Sequence, residues 1–220
     1  GFVNPDSYRW EFWKLHCMDP FDYWADAFRQ ALLQKTIVVN GDTPGGKIDY
    51  DVEGRLVGNW FEQGTGGYSG PRTSADPHGV KGHLAFAYNF HLKDTVWISF
   101  GTFGNTFVSA NESYRGYGIR NNLPDPADIG VDSGLVKFDL VALDKGNGEL
   151  TGYRVASTRR LWDGKTFPDG GKLIPAYRQD SVGTVLVKML DDRTLKVEVF
   201  RKTTLDKTTG FTDKFKIYKR

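Results

Sequence analysis

The sequence is poor in residues that cross-link or ligate: of 220 residues, one is Cys, two are Met and four are His. A lone Cys17 forms no internal disulfide, and scattered His with one Cys make no zinc-finger pattern, so neither a metal nor a cofactor is expected. Net charge is also scarce. Lys+Arg number 29 against 27 Asp+Glu, a formal +2, too little to supply the phosphate contacts of general nucleic-acid binding. No apolar run reaches the roughly 18 residues that a membrane-crossing helix needs. The chain opens Gly1-Phe2-Val3-Asn4-Pro5, without an initiator Met or a basic, then apolar, leader, and reads as a processed form or a fragment. Compartment stays open, with the richness in Tyr, Thr, Gly and Asn leaning toward a secreted or periplasmic protein. Rings and turn-formers are plentiful: 14% aromatic residues, 26 Gly and 9 Pro. That composition belongs to a folded globular chain and excludes disorder, collagen and coiled coil.

Two parts follow from the patterning. Residues 1–46 form an aromatic-rich N-terminal segment, with Tyr8, Trp10, Phe12, Trp13, Phe21, Tyr23, Trp24 and Phe28 close together. So many rings are expected to be buried against a neighbour. Asp19-Pro20 reads as an N-cap followed by proline at the first helical position. Phe21, Trp24, Phe28, Ala31 and Leu32 then recur at helical spacing, which predicts one amphipathic helix over about 20–35. Its role is a brace on a sheet or a docking element, the latter giving an oligomer through residues 1–36.

From residue 47 to 220 the period becomes two. Ile48, Tyr50 and Val52 alternate with Asp49, Asp51 and Glu53, and Gly54 turns the chain into Arg55–Phe61, predicting a first hairpin. His83–His91 leads into Thr95–Phe100, Leu135–Leu143 into Glu149–Arg159, and Val185–Leu190 into Leu195–Phe200. A last strand is expected over Phe211–Tyr218. About ten strands without intervening helices predict a mainly β fold, an antiparallel meander that curls and closes into a barrel because closure removes its exposed edges. Two irregular stretches, Gly64–Gly82 and Ala110–Gly134, are read as guards of the barrel mouth.

Gly58-Asn59-Trp60, set in this strand series, resembles the G-x-W element of the lipocalin and wider calycin barrels. The resemblance covers about 47–220 and implies that Trp60 closes one end of the barrel with Arg220 packed across it, Gly58 serving the same barrel-end structure. It further implies small apolar ligands inside the barrel, and in some relatives isomerase or hydratase activity. The family's second motif, T-D-Y, is absent from its expected place; Ile48-Asp49-Tyr50 precedes the G-x-W instead.

The ligand-contacting candidates are Tyr68 and Arg72 in the first long loop, Tyr114 and Tyr117 in the second, and Trp97 and Trp162, aromatic faces that also suit a carbohydrate. Asp49 and Asp51, with His78 and Arg120, are the candidates for catalysis, although carboxylates alternating with apolar residues on one strand are most simply turned to water. The leading expectation is a soluble binding module for an apolar or amphipathic small molecule. The alternatives are a carbohydrate-active or isomerase-type enzyme and an assembly protein docking through its N-terminal helix.

Overall fold

The computed structural model describes residues 2–33, 51–74, 76, 79–88, 96–101, 116–119, 124–143, 153–155, 173–175 and 177–220. The strands are β1 (Gly58–Glu62), β2 (His83–Tyr88), β3 (Val96–Phe100), β4 (Gly116–Ile119), β5 (Val136–Leu143), β6 (Tyr153–Val155), β7 (Leu173–Pro175), β8 (Tyr177–Asp191), β9 (Thr194–Arg201) and β10 (Lys216–Lys219). Eight of them close into an antiparallel ring in the order β1-β10-β9-β8-β5-β4-β3-β2, while β6 and β7 pair with each other in a separate small sheet. Closure occurs at β1, which pairs with β2 on one side (Trp60 opposite Leu84) and with β10 on the other (Phe61 opposite Lys219). The mainly β, barrel-like architecture expected from the two-residue period is therefore what the chain forms.

Alternation sorts the side chains as the period requires. Leu84 and Phe86 of β2, Val96, Ile98 and Phe100 of β3, and Phe138 and Leu140 of β5 enter one inner cluster with Trp60 and Tyr218. Each fully buried large side chain contributes about 1.5–3 kcal/mol relative to an exposed one. The intervening residues face outward, and on β1 the outward Phe61 founds a second, smaller cluster with Tyr8 and Tyr68.

Several local expectations are corrected. The predicted first hairpin does not form over its described part: residues 51–57 make a turn and bends, with the Arg55 N–H donating to Val52 O at 3.1 Å, and the strand begins only at Gly58. Val52 is exposed while Asp51 is buried, the reverse of the expected alternation, because the Asp51 carboxylate is drawn in by backbone donors. Residues 47–50 lie outside the described residues. β5 pairs with β4 and β8, not with Glu149–Arg159, whose described part pairs with Leu173–Pro175. The hairpin of β8 and β9 stands, its turn fixed by the Arg193 N–H donating to Asp191 Oδ1 at 2.8 Å. The last strand starts at Lys216, since Phe211 and Phe215 instead flank the Lys196 ammonium, 4.5 and 3.7 Å from the ring centroids. Finally, β4 divides the second long stretch. Strand alternation then puts 63–74 and 124–135 at opposite ends of the barrel, so the described part of the second stretch beyond β4 does not share a mouth with the first; residues 110–115 lie outside the described residues.

The N-terminal helix expected over about 20–35 forms, but among the described residues only as Asp26–Leu33. A 3-10 turn, Pro5–Glu11, runs into α1 (Phe12–Leu15); a second 3-10 turn, Pro20–Tyr23, precedes α2 (Asp26–Leu33). Asp19 caps as expected, accepting from the Phe21 N–H at 2.9 Å. The chain then leaves helical geometry at Trp24 (φ −103°, ψ 144°), which separates Phe21 from the stripe it was meant to continue.

Candidate functional site

One end of the barrel is sealed by Trp60 and Arg220. The Trp60 ring fills the lumen, its indole N–H donating to Leu56 O at 2.8 Å, and the Arg220 guanidinium carbon stands 3.9 Å from the ring centroid. Arg220 then donates Nε to Asn59 O at 3.0 Å, Nη1 to Val52 O at 2.9 Å and Arg55 O at 2.8 Å, and Nη2 to Leu56 O at 3.1 Å and to Val57 O. The planar donor fork thus serves four carbonyls of the irregular segment 52–57 and that of Asn59 in β1. Burial draws the Arg220 pKa down to about 10, opposed by the Asp51 carboxylate, so the group is a cation at neutral pH and a favourable partner for the ring face. Gly58 admits this closure. With φ at +108°, a Cβ there would fall 2.7 Å from Asp51 Cα and 3.0 Å from Arg220 Nη2.

Asp51 belongs to this scaffold. It is buried, its Oδ1 accepts from the Asn59 backbone N–H at 2.7 Å and from Asn59 Nδ2 at 3.1 Å, and its Oδ2 accepts from the Val3 N–H at 3.2 Å. Because the Asn59 amide nitrogen serves Asp51, its Oδ1 is the acceptor toward His83 Nε2 at 3.0 Å, which assigns the His83 proton to Nε2. His83 stacks on Tyr68 (centroids 5.6 Å apart, 28° between planes) and touches Phe61. Burial, with the nearby Lys14 ammonium, holds its pKa at about 4. Tyr8 completes this outer cluster against Phe61 and Tyr68, and burial pushes the phenols of both tyrosines well up.

The cluster ties the N-terminal segment to the β1–β2 connection. The Arg9 N–H donates to Ser69 Oγ at 2.8 Å, Ser69 Oγ donates to Asp6 O, and Lys14 Nζ lies 4.3 Å over the Tyr68 ring. The connection 63–82 therefore lies along the outer wall of β1 and β2. The β9–β10 connection does the same. Glu198, outward on β9, accepts from the Thr212 N–H at 2.7 Å and from its hydroxyl; Lys137, outward on β5, donates to Thr208 O; and Thr184 Oγ1 donates to Thr203 O at 2.8 Å. Both connections belong to the barrel end opposite Arg220.

At that opposite end the lumen side of the rim carries a salt bridge. Glu62 ends β1 two residues beyond Trp60, and Lys216 opens β10 two residues before Tyr218, so both share the inward face. Lys216 Nζ lies 2.8 Å from each Glu62 carboxylate oxygen, and both side chains are 26% exposed. Below the rim the lumen is packed by Leu84, Phe100, Val197 and Tyr218, with Val182 and Val199 only partly buried against them. Sequence reading passed over this pair; the signal was two charges placed in register with Trp60 and Tyr218.

Of the ligand candidates, Tyr68 is buried in the outer cluster and Arg72 is half-buried, donating to Tyr68 O at 3.3 Å. Trp97 is half-buried on the outer face of β3, alternate to the inward Val96 and Ile98. Tyr117 contributes backbone to β4. Asp49, His78, Tyr114, Arg120 and Trp162 lie outside the described residues. A separate recess of about 480 Å³ opens outside the sealed end among Glu53, Arg55, Asp132 and Asp192. Its charges are partly engaged already: Arg193 grips both Glu53 oxygens at 2.9 and 3.0 Å, and Arg55 donates to Asp128 O at 3.1 Å. Among the described residues no group of three or more His, Cys, Asp or Glu is placed to hold a metal ion, and no helix is long and apolar enough to cross a membrane.

No family model, curated protein or solved structure matches the chain.

Proposed function

We propose that the chain is a binding module, a lipocalin- or calycin-like barrel that holds a small apolar or amphipathic molecule at the rim opposite Trp60. The observation that carries this reading is the course of the two described connections at that end. Both are fastened along the outer wall, by Tyr8, Tyr68 and Ser69 on one side and by Glu198, Lys137 and Thr184 on the other, so neither folds across the lumen. The ligand's apolar part rests on the inner cluster next to Val182 and Val199, where removal of apolar surface from water supplies the affinity. The sealed end gives a fixed floor. Titration with an environment-sensitive apolar fluorophore, followed by displacement with medium-chain amphiphiles, tests the reading: saturable, competable binding is expected. Absence of saturation, or fluorophore binding that survives a large excess of every competitor, overturns it.

A second reading concerns residues 1–36, for which docking is favoured by one specific observation. Trp10, Phe12, Trp13, Met18, Tyr23, Trp24 and Phe28 are all at least half exposed. Exposed apolar surface of this extent marks interaction sites rather than ordinary surface. Concentration-dependent self-association measured by sedimentation tests whether a second copy covers it.

A further inference from the structure

We infer that the exposed rings between Trp10 and Phe28 are covered by a second copy of this chain in a closed two-fold pair, ring group against ring group, with Arg29 of each copy against Asp22 of the other. The inference rests on the docking reading of residues 1–36 above and names its partner. No side chain of α2 is buried, and so short a helix is marginal unless its apolar face is packed. Beside it Trp24 packs on Phe28 with ring centroids 4.9 Å apart, and α1 adds Phe12 and Trp13 at 6.0 Å.

Area, composition and charge select the partner. Seven large apolar side chains of this segment are at least half exposed. At about 150–250 Å² for a whole aromatic ring they offer roughly 700 Å², close to the ~800 Å² that each partner gives to a stable pair. Trp, Tyr, Phe, Met and Arg are the residues that interface cores favour. Outside this segment no described large apolar side chain reaches half exposure, the highest being Val52 at 47%. Among the described residues the patch therefore has no second apolar surface to meet head to tail, and it meets its own copy. The charges among the rings balance. Lys14 is engaged by Glu11 and Asp19 by its capping bond, which leaves Arg9 and Arg29 against Asp22 and Asp26. A lipid surface draws on clustered Lys and Arg, which this segment lacks, whereas a two-fold axis can set each Arg opposite an acid of the other copy. Within one copy Arg29 and Asp22 stand 3.7 Å apart and well exposed, a loose pair that costs little to exchange.

The test is sedimentation equilibrium of the full chain over a concentration series, with maleimide alkylation of Cys17 as a second readout. Cys17 is exposed in the single chain and lies in sequence between the two ring groups, so pairing is expected to slow its reaction. A monomer–dimer equilibrium that stops at the dimer is expected. Trp13→Ser and Phe28→Ser, both at exposed positions, should each weaken it at least tenfold with an unchanged thermal midpoint. Arg29→Glu and Asp22→Arg should each weaken it as well, and an equimolar mixture of these two variants should recover pairing to within about threefold of wild type. Failure of the mixture to recover overturns the inference, as does growth beyond the dimer. Monomer at every concentration overturns it too, and if that monomer cosediments with phosphatidylcholine vesicles, the docking reading stands with a lipid surface as partner. A dimer that keeps its strength in both ring variants and leaves Cys17 unprotected removes the docking reading together with the inference.

Discussion

Arg220 lies across Trp60 at 3.9 Å and donates to five backbone carbonyls between Val52 and Asn59. One side chain therefore joins the final strand to the first and satisfies the irregular segment that leads into the barrel. Arg220→Ala removes a donor from each of those carbonyls, of which Val52 O keeps the Arg55 N–H and Leu56 O keeps the Trp60 indole N–H, and it uncovers the ring. Loss of several buried hydrogen bonds to a charged group is expected to cost about 3–5 kcal/mol. Urea unfolding midpoints, read with unchanged m-value, measure it. Arg220→Lys should recover less than half, because an ammonium has three donors and no planar face.

Gly58→Ala tests the same closure from the opposite side. The added methyl meets Asp51 backbone at 2.7 Å in a conformation, φ +108°, that side chains rarely adopt. About 3 kcal/mol or more of destabilisation is expected. A soluble variant with wild-type thermal midpoint would contradict the packing described.

His83 makes stability depend on pH with a definite sign. Its folded-state pKa is lowered to about 4 by burial and by Lys14, against about 6.5 in the unfolded chain. Between these values the unfolded state holds the extra proton, so stability falls as pH drops from about 6.5 toward 4 and the contribution is gone below 4. The total is of order 3 kcal/mol. His83→Gln, which keeps a donor toward Asn59, should flatten that part of the stability profile measured by denaturant titration at successive pH values.

Two rings on the N-terminal segment should behave oppositely. Tyr8 is 1% exposed and packs on Phe2, Phe61 and Tyr68, so Tyr8→Ala is expected to cost about 3–4 kcal/mol. Trp13 is 51% exposed, and Trp13→Ser should change stability by less than about 0.5 kcal/mol while reducing self-association in sedimentation runs. A large stability loss for Trp13→Ser would show that the ring is covered by its own chain.

The barrel was legible because alternation is a local signal. Leu84, Phe86 and Tyr88, or Val96, Ile98 and Phe100, declare their inward face within a few residues. What stayed hidden depends on distant partners. Asp51 looked solvent-facing because its alternation with Val52 is readable, whereas the donors that draw it inward come from Val3 and Asn59. The pairing of β5 with β8 across the intervening β6 and β7 could not be read from turn residues, since Asp144-Lys145-Gly146-Asn147-Gly148 is as good a hairpin turn as the Asp192-Arg193 turn that is used. The helix expected over 20–35 starts only at Asp26, because helical spacing of rings continues through Trp24, a residue whose backbone is extended.

The Asn59 amide touches two things at once, the carboxylate that holds Val3 and the imidazole that stacks beneath Tyr68. The Asn59 carboxamide thus adds a further link between the leading residues and the wall of the β1–β2 connection, beside the direct contacts of Arg9 with Ser69 and of Tyr8 and Lys14 with Tyr68. Fastening at three separate points makes the first fifteen residues an outer layer of the barrel wall and not a free tail.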